Sequence, residues 1–184
     1  MDKRQEKTRL ALYQALRDEL GKKTYEKISV SDLLKRSGIS RSAFYAHFKG
    51  KDDVLKSVAE DIFDHVFSPS KRKETGHDFS SSSNYDYKRL IAHIFYHFYE
   101  EKDLLSAIFR SSASEPFSNI LKRHSAPFLQ AAISARAFYR EGVPLGMQTH
   151  QLTESFASLL RHWVLRGCEA SPEEMAHYFV LLYA

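Results

Sequence analysis

Apolar residues recur three and four positions apart along most of this chain, which is the spacing of amphipathic helices. The pattern predicts a first helix over about residues 6–20. Its inward side chains would be Leu10, Leu12 and Leu16, and Gly21 is a natural C-terminal stop. No segment alternates apolar and polar residues for long, as a half-buried strand would. The chain is therefore predicted to be all-α.

Capping residues divide the following stretch into short helices. Ser29 and Asp32 have the S-x-x-D spacing of a capping box, so a second helix should begin there. The turn SGIS separates it from a third helix over about residues 41–48, which Ser40 can cap. A fourth helix is expected to begin after Gly50.

A serine-rich polar segment over about residues 68–84 predicts a loop between two parts of the chain. Five helices are predicted after it, at about 85–100, 103–110, 115–141 (with Pro127 as a kink), 145–166 and 172–183. The last of these begins with Ser-Pro-Glu-Glu at 171–174, which supplies an N-cap, a first-turn proline and an N3 carboxylate. The predicted total is about nine helices in two domains, residues 1–54 and 55–184.

Composition and charge narrow the class of protein. Hydrophobic residues make up 43% and charged residues 27%, which argues against disorder. Cys168 is the single cysteine, so no intramolecular disulfide can form. The charged N-terminus is unlike a signal peptide, and no run approaches the roughly 18 apolar residues of a membrane span. These features predict a cytoplasmic protein without a membrane partner.

Positive charge is concentrated near the N-terminus. Residues 1–60 carry 14 Lys and Arg against 9 Asp and Glu, within a net charge of +4 for the whole chain. Such an asymmetry is typical of a domain that binds a polyanion, although solvated surface charges can produce it by chance. Charge alone leaves both interpretations open.

The second and third predicted helices have the lengths and the tight turn of a helix-turn-helix. Ile39, Phe44 and Phe48 would face the core of this unit. The opposite face then presents side chains that suit phosphates and base edges, namely Arg41, Ser42, Tyr45 and Lys49. Lys51 would lie at the start of the fourth helix, where free N–H groups can hold a phosphate.

The stretch ISVSDLLKRSGISRSAFYAHFKGKDDVL, residues 28–55, resembles the helix-turn-helix of the TetR family of bacterial transcription regulators. The matching features are Ile28-Ser29-Val30, Gly38-Ile39-Ser40, Phe44-Tyr45-x-His47-Phe48 and Lys49-x-Lys51. The resemblance covers about residues 7–60. It implies a regulator, more often a repressor, that binds a palindromic double-stranded DNA operator as a homodimer.

Carried over to this chain, the resemblance implies that Tyr45 and Lys51 contact phosphates. Ser31, Arg41 and Ser42 would approach bases, and His47 matches a position that either contacts DNA or packs. The full predicted DNA-binding set is Ser29, Ser31, Ser40, Arg41, Ser42, Tyr45, His47, Lys49 and Lys51.

Members of the family join this N-terminal DNA-binding domain, called the head, to a helical C-terminal domain, called the body. The body dimerises and often binds a small molecule. The last two predicted helices carry apolar residues at helical spacing, which predict a dimer interface of Phe156, Leu159, Leu160, Trp163, Met175, Phe179 and Leu182. Aromatic residues are candidates to line an effector pocket: Phe95, Phe98, Tyr99, Phe109, Phe117, Phe128 and Phe138. The same aromatic residues could instead form a filled core, and the sequence leaves this choice open.

Two alternative interpretations remain open. The same head could be controlled by a partner protein without a ligand, in which case an exposed apolar patch is expected. His93 and His97 are spaced to chelate a metal on a helix, which would suit a helical metal-binding protein or enzyme. No carboxylate or cysteine completes that set and no nucleophile motif is present. The prediction is therefore a regulator that is not an enzyme and has no metal or cofactor.

Overall fold

The structure is a computed structural model that describes residues 3–67, 73–74, 77–78 and 87–183. Nine α-helices lie within these residues, so the all-α prediction is confirmed. Two two-residue strands, Lys73–Glu74 and His77–Asp78, pair in an antiparallel register. Most of the loop predicted at 68–84 lies outside the described residues.

The helices follow the predicted order. They are α1 Lys3–Leu20, α2 Val30–Ser37, α3 Arg41–Tyr45, α4 Lys51–Phe67, α5 Tyr87–Glu100, α6 Lys102–Phe109, α7 Ser114–Ser134, α8 Leu145–Leu165 and α9 Pro172–Tyr183. A single 3-10 turn, Tyr25–Lys27, lies between α1 and α2 and is called the 25–27 turn below.

Two helices are shorter than predicted. α3 ends at Tyr45 rather than near residue 48, and the chain continues through a tight turn in which the Phe48 N–H donates to the Phe44 carbonyl at 2.9 Å. α7 ends at Ser134 rather than near 141, because Arg136 adopts a left-handed conformation with φ of 69°. That reversal lets the Ala137 N–H donate to the Ala132 carbonyl at 3.0 Å.

Residues Met1–Asp61 and Asp103–Ile120 form the first of two compact units. In it α1 packs against α2, and Leu12, Leu16 and Leu33 are fully buried. Leu10, which was predicted to face inward, is 55% exposed instead. Because this unit includes a later segment of the chain, the domain boundary at residues 54 and 55 stays a prediction.

The second compact unit comprises Ile62–Lys102 and Leu121–Ala184. Within it α5 packs against α9. Aromatic side chains fill its centre, with Phe95 5.8 Å from Phe156 and Phe156 5.7 Å from Phe179 between ring centroids. Such tilted and edge-on pairs are the favoured packing of aromatic rings.

Most of the residues predicted for the dimer interface belong to this core, so the prediction is corrected for the buried ones and stays a prediction for the others. Within a single chain, five of the seven are buried: Phe156, Leu160, Trp163, Met175 and Phe179. Leu159 is half-buried, and Leu182 is 63% exposed. Helical spacing identified the apolar face of α8 and α9, but that face points into its own chain.

The start of α9 is formed as predicted. The Glu174 N–H donates to the Ser171 hydroxyl at 3.2 Å, and the Ser171 N–H donates to the Glu174 carboxylate at 2.7 Å. These reciprocal bonds are a capping box. Among the helices that the structure describes, none is long and apolar enough to cross a membrane.

Candidate nucleic-acid interface

Local hydrogen bonds set where the helix-turn-helix begins and turns. The Ser29 hydroxyl accepts from the Asp32 N–H at 3.2 Å, and the Asp32 carboxylate accepts from the Ser29 N–H at 2.8 Å. Gly38 ends α2 with φ of 70°, a left-handed conformation that glycine adopts without steric cost. The capping box and the glycine stop therefore confirm the sequence prediction.

The entry to α3 is also capped. The Ser40 hydroxyl accepts from the Ala43 N–H at 3.2 Å, and it lies 3.2 Å from the Ser42 hydroxyl. Ser29 and Ser40 were both predicted to bind DNA, yet their hydroxyls hold the helix N-termini. Their structural contribution is to orient α2 and α3.

The outward face of α3 carries the predicted reading residues. Phe44 is fully buried, and the neighbouring Tyr45 is 51% exposed. Arg41, Ser42 and His47 are exposed as well. The short helix α3 thus places an anchored aromatic ring on one face and solvent-exposed side chains on the other, as a recognition helix requires.

Ser31 of α2 joins this face. It is exposed, and the Arg41 guanidinium lies 3.5 Å from its hydroxyl. A contact at that distance is too long to hold the guanidinium firmly. Arg41 therefore keeps donors that can turn toward guanine or phosphate.

Several cations of this unit are paired with acids. The Arg36 guanidinium donates to the Asp18 carboxylate at 2.6 Å, and the Lys23 ammonium lies 2.9 Å from the Asp32 carboxylate. The Lys23 hydrogen bond, followed by those from Ser29, holds the pKa of Asp32 well below its usual range. Such pairs are at least partly exposed and are screened by salt.

Lys51 is placed differently from its predicted role as a phosphate contact. Its ammonium donates to the carbonyls of Tyr25 at 2.8 Å and Ile28 at 2.9 Å, and it lies 4.4 Å from the centre of the Tyr25 ring. The Glu26 carbonyl is a third, longer contact at 3.4 Å. The side chain is committed to the 25–27 turn, so the prediction for it is revised. Lys49, by contrast, is exposed.

The contacts of Tyr25 and Asp52 were not foreseen from the sequence. The Tyr25 hydroxyl donates to the Asp52 carboxylate at the start of α4. Burial, followed by this hydrogen bond, raises the pKa of Tyr25. A tyrosine between two predicted helices carries no sequence signal for such a long-range contact.

The aromatic residues predicted to line an effector pocket are mostly packed side chains. Phe95, Phe98, Phe109 and Phe117 are buried, and Phe109 meets Phe117 edge-on at 5.6 Å. Phe128 is half-buried, and Tyr99 is 37% exposed, with the Lys102 ammonium 4.3 Å from its ring centre. Of the seven, Phe138 alone lines one of the cavities described for this chain.

That cavity has a volume of about 670 Å³ and lies among the end of α7, the start of α8 and the end of α9. Ile133, Phe138 and Leu152 form its buried floor, and Met147 and Leu182 are exposed at its edge. The buried amide of Gln148 fixes one wall, because it donates to the carbonyls of residues 140 and 143 at 2.9 and 2.6 Å. The cavity is therefore open and mostly apolar, and hydrogen bonds from Gln148 hold one of its walls.

His93 and His97 are buried side by side on α5. Their Nε2 atoms are 3.0 Å apart, so one ring donates to the other, and His97 Nδ1 lies 3.4 Å from the Glu100 carboxylate. Within the described residues, no group of three His, Cys, Asp or Glu side chains could hold a metal ion. A mutual hydrogen bond accounts for the pair.

Two family descriptions match the sequence. "Bacterial regulatory proteins, tetR family" matches residues 12–58, and "Transcriptional regulator C-terminal region" matches residues 86–183. The chain is 34% identical over 79 residues to the uncharacterized HTH-type transcriptional regulator YxbF of Bacillus subtilis (strain 168). That alignment covers 40% of this chain and 21% of YxbF, so the chain spans about a fifth of that relative's length.

Solved structures share the whole fold. A TetR transcriptional regulator from Streptococcus agalactiae 2603V superposes with a TM-score of 0.68 at 23% identity, covering 97% of this chain and 94% of that one. The dihydroxyacetone kinase operon activator DhaS superposes with a TM-score of 0.69 at 18% identity, covering 96% and 93%. These relatives are transcription regulators, a class of proteins that are not enzymes. Since the two family descriptions cover both the head and the body, the chain belongs to the TetR family of bacterial transcription regulators.

Proposed function

We propose that this protein is a homodimeric repressor that binds a palindromic DNA operator through α2 and α3. The observation that carries the proposal is the outward face of α3, where Arg41 and Tyr45 project beside Ser31 from a doubly capped helix-turn-helix. Arg41 would read a base edge, most favourably guanine, and Tyr45 would donate to a phosphate. Lys49 would add a phosphate contact, whereas Lys51 would hold the head together.

A second copy of the chain would supply the second recognition helix that a palindromic operator needs. Two recognition helices must meet successive major grooves about 34–36 Å apart, which one copy cannot do. Exposed apolar residues just before and at the start of α8 and along the second half of α9 support an interface there: Val143, Leu145, Met147, Tyr178, Leu181 and Leu182. Three of them, Val143, Met147 and Leu182, line the 670 Å³ cavity, which an apolar side chain of the second copy would fill.

Control by a small molecule stays a prediction of the family resemblance. Most of the aromatic side chains predicted to line its pocket are buried against other rings, so the proposal assigns them no ligand. The sign of regulation is likewise a proposal. The fold neighbour DhaS is described as an operon activator, but its 18% identity concerns the fold alone.

Selection of bound fragments from a random duplex library, at one stated salt concentration, tests the proposal. The expected result is a palindrome whose half-site centres lie about one helical turn apart. Selection with Arg41→Ala should recover fragments with relaxed preference at one position of each half-site. Lys56→Ala, which changes an exposed cation outside α2 and α3, is the matched control and should recover the same palindrome as the native protein. No enrichment with native protein, and none after unfolding and refolding to strip bound molecules, would contradict the proposal.

The recovered palindrome then decides the sign. When the palindrome is placed across a promoter that drives a reporter gene, production of this protein should lower expression of the reporter. Higher expression would reassign the protein as an activator while leaving operator binding intact.

A further inference from the structure

Glu26, in the 25–27 turn, makes a contact that spans 86 positions of the sequence. Its carboxylate accepts a hydrogen bond from the backbone N–H of Ser112, in the turn between α6 and α7. Both residues are exposed, and both belong to the first compact unit. The bond therefore joins a late segment of the chain to the DNA-reading head.

The surroundings favour the ionised form of this carboxylate. The Ser112 N–H, the N–H of Glu26 itself and the hydroxyls of Ser112 and Thr24 all donate to it, which lowers the pKa of Glu26 from 4.5 to about 2. At neutral pH the group is a full anion. Charge-assisted hydrogen bonds of this kind are the stronger ones.

The turn between α6 and α7 presents the Ser112 N–H from a braced backbone. The Ser111 hydroxyl donates to the Ile108 carbonyl at 2.8 Å and accepts from the Ala113 N–H at 3.2 Å. Ala113 is buried, and the Ser114 N–H donates to the Ser111 carbonyl at 3.1 Å. A shift of α6 or of the start of α7 would move the Ser112 N–H with it.

On the other side, the 25–27 turn is tied to the reading helices. The Lys51 ammonium holds the Tyr25 and Ile28 carbonyls, which fixes the turn to the first residue of α4. Ile28 precedes Ser29, the N-cap of α2. Displacing Glu26 would thus displace the start of α2 and the start of α4 together.

We propose that Glu26 is a positioning residue that couples the α6–α7 turn to the helix-turn-helix. The turn and the head move as one body while the carboxylate holds Ser112, and they move independently once it is removed. This inference rests on the proposed operator binding for its biological meaning. Its first test needs no DNA.

Hydrogen–deuterium exchange of the full chain, read by mass spectrometry, tests the coupling directly. Glu26→Ala should speed exchange in residues 110–114 and in residues 24–29 together, by about two- to tenfold, the range that loss of one hydrogen bond permits. Glu26→Gln keeps an acceptor oxygen and should restore part of the protection. Glu115→Ala, which removes an exposed carboxylate from the first turn of α7, is the matched control. Faster exchange in 110–114 with no change in 24–29 would overturn the coupling.

The second arm uses the duplex recovered by selection. Because coupling between sites is reciprocal, operator binding should change exchange of residues 110–114 in the wild type and not in Glu26→Ala. Residues 40–48 should be protected by DNA in both proteins. An equal response of 110–114 in the two proteins would overturn the proposal. Absence of protection at 40–48 in every variant would instead count against operator binding, and the first arm would still decide the coupling.

Discussion

Replacing Lys51 by methionine is expected to destabilise the head without removing a phosphate contact. The ammonium makes two short hydrogen bonds to carbonyls, at 2.8 and 2.9 Å, from a half-buried position. A hydrogen bond to a charged group contributes about 1.5–3 kcal/mol, but water can replace part of it because the Lys51 side chain is only half-buried. We therefore expect a loss of about 2–3 kcal/mol in the free energy of unfolding, and no contribution from the longer Glu26 contact.

Thermal unfolding followed by circular dichroism measures the first part. For a chain of this length, a loss of that size lowers the melting temperature by roughly 4–12 °C. Methionine retains the length of the lysine stem, so the change isolates the ammonium. Lys49→Met is the matched control, because exposed surface substitutions usually change stability by less than about 0.5 kcal/mol.

The salt dependence of DNA binding measures the second part. Each phosphate neutralised by a side chain adds about 0.9 to the slope of log affinity against log salt concentration. Lys51→Met should leave this slope unchanged, and Lys49→Met should reduce it by about 0.9. An unchanged melting temperature together with a smaller slope for Lys51→Met would refute the reasoning and restore Lys51 as a phosphate contact.

Four further outcomes are expected. Arg41→Ala should cost about 1–3 kcal/mol in binding the selected operator, with little loss on a shuffled duplex, as measured by fluorescence anisotropy. Gly38→Ala should cost about 1–2 kcal/mol in urea unfolding, because its φ of 70° strains any residue with a Cβ, although the space around it is open. Leu182→Asp should give a monomer in sedimentation with nearly unchanged melting, because the side chain is 63% exposed; a dimer would contradict the interface. Glu26 has a folded pKa below its unfolded value, so its contribution to stability is present above about pH 4.5 and lost toward pH 2; Glu26→Gln should flatten melting temperature against pH in that window.

The parts of the fold that the sequence predicted correctly depend on short-range chemistry. The capping box at Ser29, the glycine stop at Gly38 and the box at Ser171 each involve residues within a few positions of one another. Their hydrogen bonds therefore follow from local sequence with little need for distant contacts. The exposed side chains of α3 follow from the same local frame, because Phe44 and the helical period fix which residues point outward.

The end of α7 could not be predicted by such rules. Residues 135–137 are Ala-Arg-Ala, which contain no glycine or proline to stop a helix. The chain nevertheless reverses at Arg136, where the guanidinium lies 3.8 Å from the centre of the Tyr139 ring. A contact with a residue beyond the helix thus accompanies a conformation that arginine rarely adopts.

The dimer stripe was misassigned for a different reason. Helical periodicity identifies an apolar face, and in α8 and α9 that face is needed for the core of the same chain. In the proposed homodimer, the partner would use what remains outside, which is the scattered set near Met147 and Leu182. Those residues form no periodic stripe, so only a folded chain brings them to one place.

For Lys51 and Glu26, the charge of the side chain alone did not predict its structural role. Lys51 was predicted to contact a phosphate, which suits a lysine at the start of α4, and Glu26 was not singled out in the sequence. Their partners lie 23 to 86 positions away, at the carbonyls of Tyr25 and Ile28 for Lys51 and at the Ser112 N–H for Glu26. These two side chains hold the 25–27 turn in place. Lys51 donates to backbone carbonyls at and beside the turn, and Glu26, which belongs to the turn, accepts from Ser112. Since α2 begins three residues after it, this short connector positions the reading helices that the helical pattern alone had identified.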